Sequence, residues 1–141
     1  MVNFELHPDL QRDGIPIGRF PLCQVLLNND KTYPWFVLVP MIANVRDTID
    51  LTIDDHQTLW NETRAFGIGI MNVFKGDKLN VAALGNVTPQ LHIHAIVRYR
   101  SDPAWPTPIW GKFPMQAYDS SEIELVRRKL GMADIIGFQF S

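Results

Sequence analysis

Apolar residues gather in two short runs early in the chain, "FPLCQVLLNN" and "WFVLVP", separated by "NDKTYP". Both are short and rich in β-formers, and the intervening Asn, Asp and Pro suit a turn. The spacing predicts an antiparallel strand pair. The period then changes. In "TIDDHQTLWNETRAFGIGIMNVFKGD", Leu59, Thr63, Phe66, Ile70 and Val73 recur at steps of four and three, one face of a long helix. Asp54 and Gln57 have capping-box spacing, and Gly76 supplies a stop. Gly67 and Gly69 each cost about 1 kcal/mol of helix propensity against alanine, which marks them as points of close packing. Two more strands are predicted, "KLNVAAL" and "QLHIHAIVRY", joined through "GNVTP". A shorter helix, "SSEIELVRRKL", has Ser121 and Glu124 at capping-box spacing and Gly131 beyond. Helices do not alternate with strands, so the expected class is α+β with an antiparallel sheet of about five strands.

Composition narrows the options. A chain of 141 residues is most simply one domain, residues 1–141, large enough to fold around its own core. Thirteen basic against fifteen acidic side chains leave a net charge of −2, with no dense basic block. Nucleic acid is therefore not an expected partner, although a few local donors can hold a single nucleotide. The single cysteine, Cys23, lies in an apolar run and reads as a buried, inert thiol. "MVNFELHPDL" lacks the pattern of a signal peptide, and "WFVLVPMIANV" is too short to span a bilayer. The expectation is a cytoplasmic protein with no membrane partner.

The chemistry concentrates in "PQLHIHAIVR". In a strand, Gln90, His92, His94, Ile96 and Arg98 share one face, and Leu91, Ile93, Ala95, Val97 and Tyr99 share the other. The second set is apolar and packs on the core. The first places an amide and two imidazoles in a row, roughly 6–7 Å apart. Three readings compete for that row. The histidines can be half-exposed strand residues with hydrogen-bonded rings. They can grip a metal from one side, but His7 and His56 lie in remote segments and no spacing ties them to this strand. Or one ring, held in the correct tautomer, can act as nucleophile or acid–base group toward a phosphate.

"NVTPQLHIHAIVR" resembles the signature of the histidine-triad (HIT) family, in which three histidines alternate with apolar residues after a short polar turn. "LLNNDKTYPWFVLVP" is similar to that family's nucleoside-binding hairpin, and "KLNVAALGN" to the strand that follows its helix. The resemblance covers roughly Phe20 to Arg100, leaving residues 101–141 as a C-terminal extension, and is greatest to a bacterial, diadenosine-polyphosphate-hydrolase-like branch. It implies a HIT-like fold, usually a homodimer, acting at the α-phosphate of a purine nucleotide or dinucleotide without an essential metal or other cofactor. By the same resemblance His92 takes the nucleophile's place and His94 that of the third histidine. Gln90 stands where the first should be, which is a departure. Its amide can donate to phosphate but cannot act as an acid or base.

Second-rank candidates follow. The resemblance puts Asn28 at the ribose, Asn86 near phosphate oxygens and Asn80 on the preceding strand, while strand alternation puts Arg98 on the histidine face, within reach of a phosphate; each has an alternative as a turn or surface residue. Trp35 or Phe36 stands where many relatives have a glycine–histidine pair, so an aromatic replaces a histidine near the site. Trp105 and Trp110, in the proline-rich "DPAWPTPIWGKFP", read equally well as a lid, a dimer contact or core. Two functions lead, a nucleotide hydrolase or nucleotidyl transferase working through a covalent nucleotidyl–histidine and a nucleotide-binding module that has lost turnover, with a metal site on the His92/His94 strand as a third and weaker reading.

Overall fold

The computed structural model describes residues 3–141. Its elements are α1 (Pro8–Asp13), β1 (Gly14–Arg19), β2 (Cys23–Asn28), β3 (Trp35–Pro40), a 3-10 turn (Thr48–Asp50), α2 (Ile53–Phe74), β4 (Lys78–Ala82), β5 (Ile93–Arg98), α3 (Ser120–Gly131) and β6 (Gln139–Phe140). The strands form one antiparallel sheet in the order β4-β5-β3-β2-β1-β6. The sheet has six strands rather than five. The predicted hairpin is β2–β3, and β4 and β5 extend it on the far side of β3.

β1 was invisible to patterning because Gly14, Pro16 and Gly18 interrupt it. Proline lacks a donor, yet it is tolerated here because β6 pairs only with Gly18 and Arg19, leaving Pro16 on an open edge. The register also shifts between Pro16 and Gly18.

One face of the sheet carries the main core: Val25, Leu27, Phe36, Leu38, Ile93, Ala95 and Val97 pack under Leu59, Phe66 and Ile70 of α2 and Val126 and Leu130 of α3. Glu62 of α2 ties helix to sheet, its carboxylate accepting from the backbone N–H groups of Leu22 and Cys23 at 3.0 and 2.9 Å. Cys23 is fully buried, and burial followed by the proximity of Glu62 pushes its thiol far above the usual range. Gly67 and Gly69 are indeed points of close approach: a Cβ there would lie 2.8 Å from Leu79 and 2.5 Å from Ile135. The caps fall one or two residues from their expected places. Thr52 caps α2, Lys75 rather than Gly76 takes the left-handed position at its end, and Asp119 with Glu122 forms the capping box of α3.

The opposite face is covered in two patches. Phe4, Leu6 and Leu10 from the N-terminal arm lie on Leu26, Val37 and Val39. Tyr33, Ala104, Ile109 and Trp110 lie on Ile96. Trp35 packs against both patches, and His94 sits between them, paired in register with Val37 on β3 and Ala82 on β4.

Candidate active site

β5 starts only at Ile93, three residues later than the pattern suggested, because β3 and β4 end their pairing at Ile93 and His94. Gln90, Leu91 and His92 project past the sheet's end, held by a hydrogen bond from Leu91 N–H to the Val45 carbonyl at 2.9 Å. The alternation persists through the projection: Leu91 and Ile93 enter the core, while His92 and His94 bring their rings together at 4.9 Å between centroids.

Both imidazoles are buried, at 7% and 9% exposure, and their hydrogen bonds define opposite tautomers. Nδ1 of His92 lies 2.7 Å from the Gln90 carbonyl, which can only accept, so Nδ1 carries a proton and the lone pair of the neutral ring is on Nε2. Nδ1 of His94 receives the indole N–H of Trp35 at 2.9 Å. An indole can only donate, so this Nδ1 is unprotonated and the His94 proton resides on Nε2. His94 is also hard to charge: burial, and then repulsion from His92, bring its pKa down to about 3. Trp110 closes over the ring, with centroids 4.7 Å apart and an interplanar angle of 65°. The pair thus presents one nucleophilic nitrogen and one fixed N–H donor.

The two rings line a cavity of about 450 Å³. Asn28 enters from the end of β2, Trp35 and Val37 from β3, Asp9, Leu10 and Asp13 from the arm and α1, and Trp110 and Met115 from the C-terminal extension. The loop Leu84–Thr88 forms the mouth, with Asn86 on it and Gly85 in the left-handed region at φ 80°. Gly85 tolerates that conformation because it has no Cβ. A smaller cavity of about 280 Å³, bordered by Arg46, Leu84, Gln90 and His92, meets the first at His92.

Of the expected site residues, His92, His94, Asn28 and Asn86 come together in this cavity. Asn28 is buried there, while its neighbours serve structure: the Asn29 side chain accepts from Tyr118 N–H, and Asp30 from Thr32 and Gln116 N–H.

Three others are used elsewhere. The Gln90 side chain turns to the N-terminal arm, where Oε1 accepts from His7 N–H at 2.8 Å and Nε2 donates to the Glu5 carbonyl at 2.9 Å. It is not aimed at the histidine cavity. Arg98 is 1% exposed and committed to Asp102, to Oδ1 of Asn80 and to the Thr107 carbonyl, with Tyr33 and Trp105 against its guanidinium. A cation in a strand facing apolar neighbours needs such partners, and here they take four of its five N–H donors. Asn80 is the acceptor for one of them, at 2.9 Å, instead of a phosphate ligand. Trp105 belongs to this internal cluster, and Trp110 to the cavity.

Asp9, Leu10, Asp13 and Met115 lay outside the sequence reading, since nothing in their local spacing connects them to residues 90–94. Trp35 was legible as an aromatic near the site but not as a partner of His94. Among the described residues no three His, Cys, Asp or Glu side chains converge on a point where a metal ion could sit. No helix among them is long and apolar enough to cross a membrane.

The model of the HIT domain matches residues 10–101, so the match begins about ten residues earlier than the motifs alone suggested and takes in β1. The chain belongs to the HIT domain family. It is 47% identical to a histidine triad protein from Marinobacter aquaeolei VT8, covering 92% of this chain and 94% of that one with a TM-score of 0.90. A histidine triad protein from Bradyrhizobium japonicum is 39% identical, over 94% of this chain and 98% of that one, also at a TM-score of 0.90. A third, from Sinorhizobium meliloti 1021, is 37% identical over 93% and 97% with the same score. No curated protein matches the chain. Family membership points to a nucleotide-binding hydrolase or transferase.

Proposed function

We propose that the protein hydrolyses or transfers a nucleotidyl group at the α-phosphate of a purine nucleotide, a dinucleoside polyphosphate or nucleoside phosphoramidate, with His92 as nucleophile. The observation that carries this reading is the pair of opposed tautomers. Nε2 of His92 attacks phosphorus, the bond from phosphorus to the leaving group breaks, and the departing group takes a proton from solvent. Water then opens the phosphorus–nitrogen bond and restores the imidazole. A fixed donor beside the nucleophile stabilises the charge gathering on the phosphate oxygens, and His94 Nε2–H is that donor. Asn86 is a second donor at the mouth, and Asn28 suits the ribose hydroxyls. The base would lie on Leu10 and Val37.

A second reading, a binding module without turnover, has an observation of its own. The position of the first triad histidine is Gln90, whose side chain serves the N-terminal arm, so no group there protonates a leaving group. Where turnover is retained, a polyphosphate, whose phosphate leaving group departs without a proton, is favoured over a phosphoramidate, whose amine must be protonated to leave. The outer edge of β4 pairs with no strand among the described residues, which leaves room for the homodimer that the resemblance implies.

Rapidly quenched single-turnover incubation with a diadenosine polyphosphate, whose leaving group needs no proton, read by intact mass, tests the mechanism. The native chain is expected to gain the mass of a covalent AMP group, and His92→Ala to gain none. AMP bound by the native chain without adduct or product would mean the module instead.

A further inference from the structure

The most distinctive residue of the motif has a use that the phosphate chemistry does not explain. The Gln90 amide pairs with a donor and an acceptor two residues apart, His7 N–H and the Glu5 carbonyl, as a neighbouring strand would. This pairing selects glutamine. An imidazole cannot offer an acceptor and a donor side by side, and a glutamate would place its charge against the Glu5 carbonyl. The fastened segment leads directly into the cavity wall. His7 caps α1, its Nδ1 accepting from Asp9 N–H at 3.0 Å and its carbonyl from Leu10 and Gln11 N–H. α1 then presents Asp9, Leu10 and Asp13 to the cavity. A second tie, Thr88 Oγ donating to Asp9 Oδ2 at 2.7 Å, joins the same wall to the loop at the cavity mouth. Leu10 anchors it below, on Leu26, Val37 and Val39.

We propose that Gln90 is a positioning residue that buckles the N-terminal arm to the histidine segment, making residues 5–13 a fixed wall that selects the nucleoside. The selection rests on the nucleotide reading above; the fastening does not. The motif thereby exchanges a titratable group at the phosphate for a rigid wall at the base. The His92 tautomer survives the exchange, because the Gln90 carbonyl that sets it belongs to the backbone.

Gln90→Met and Gln90→Glu test this by two independent readouts, amide hydrogen exchange and AMP binding by calorimetry. Gln90→Met keeps the length and loses both bonds, while Gln90→Glu keeps only the acceptor for His7 N–H. Exchange at His7, Leu10 and Gln11 should accelerate at least tenfold in Gln90→Met, with β2 and β3 unchanged. The AMP Kd should rise roughly tenfold, about the loss of two neutral hydrogen bonds, one partly buried and one exposed. Loss should fall on Kd and KM rather than on kcat, with Gln90→Glu intermediate. Unchanged exchange at the arm would overturn the buckle, whatever happens to binding. A kcat collapse with unaltered exchange and Kd would place Gln90 at the phosphate instead. Should the native chain bind no AMP, the nucleotide reading fails, and the exchange readout alone decides the fastening.

Discussion

His94 carries its proton on Nε2 because Trp35 occupies the other nitrogen, so a residue outside the motif sets what the motif's last histidine can do. A ring with a pKa of about 3 and an engaged Nδ1 is a donor across the physiological range, not a proton shuttle. The linkage has a definite sign. The folded pKa lies below the unfolded value near 6.5, so as pH falls below about 6.5 the unfolded chain takes up the proton first. His94 therefore weakens the fold progressively from pH about 6.5 down to about 3. Ring nitrogen shifts measured by NMR should show His92 protonated at Nδ1 and His94 at Nε2, with His94 not titrating above about pH 4. In Trp35→Phe the lock is absent, and the His94 signals should average between tautomers. Activity toward a diadenosine polyphosphate should fall roughly five- to tenfold, the worth of one oriented hydrogen bond. Native tautomer signals in Trp35→Phe would show that packing, rather than the indole N–H, orients the ring.

Elements were legible where one face of a regular period was buried, and misplaced where backbone geometry decided. The α2 periodicity identified Leu59, Phe66 and Ile70 because a helix over a sheet must bury one stripe, and the hairpin β2–β3 followed from two apolar runs and a turn. β1 escaped for the opposite reason, its pattern broken by Gly14, Pro16 and Gly18. The end of α2 shows how one residue can mislead. "KG" reads as a helix stopped by glycine, yet Lys75 holds the left-handed conformation, φ 53° and ψ 48°. Gly76 is glycine for another reason: a Cβ would lie 2.3 Å from Val97 Cγ1 and 3.0 Å from the sulfur of Met71. Val97 is fully buried on β5, flanked by β3 and β4, so it has little room to move. The two substitutions should therefore act oppositely. Lys75→Gly is expected to stabilise by about 1 kcal/mol through relief of left-handed strain, and Gly76→Ala to destabilise by about 1–3 kcal/mol through overpacking. Urea denaturation midpoints measure both, and a stabilising Gly76→Ala would refute the packing argument.

At the scale of the whole molecule, the site is assembled from β2, β3, β5 and the loop Leu84–Thr88 together with two segments laid over one sheet face, and those two do not announce their role in the sequence. The arm arrives from residues 5–13 and Trp110 from the C-terminal extension, each too far along the chain for any local period to link to His92. What holds the extension is Arg98, an expected phosphate ligand that is instead its anchor. Its guanidinium pairs with Asp102 at 2.8 Å, and Asp102 also accepts from the N–H groups of Tyr99, Ala104 and Trp105. Burial alone would raise the Asp102 pKa, but the hydrogen bonds and charge of Arg98, with those backbone donors, outweigh it and leave it lowered. A depressed carboxyl stabilises the fold above its unfolded pKa, near 3.9, and that contribution is lost as pH falls through the folded value. Because the pair is buried, removing one partner strands the other: Asp102→Ala should cost about 3–5 kcal/mol. Asp102→Asn retains an acceptor and should cost less, while flattening the decline of stability as pH falls below the ordinary carboxyl value. Release of the 102–110 segment would carry Trp110 away from His94, so tryptophan fluorescence should change in the same acid window as the loss of stability. A fluorescence transition that is identical in the native chain and in Asp102→Asn would show that the anchor lies elsewhere.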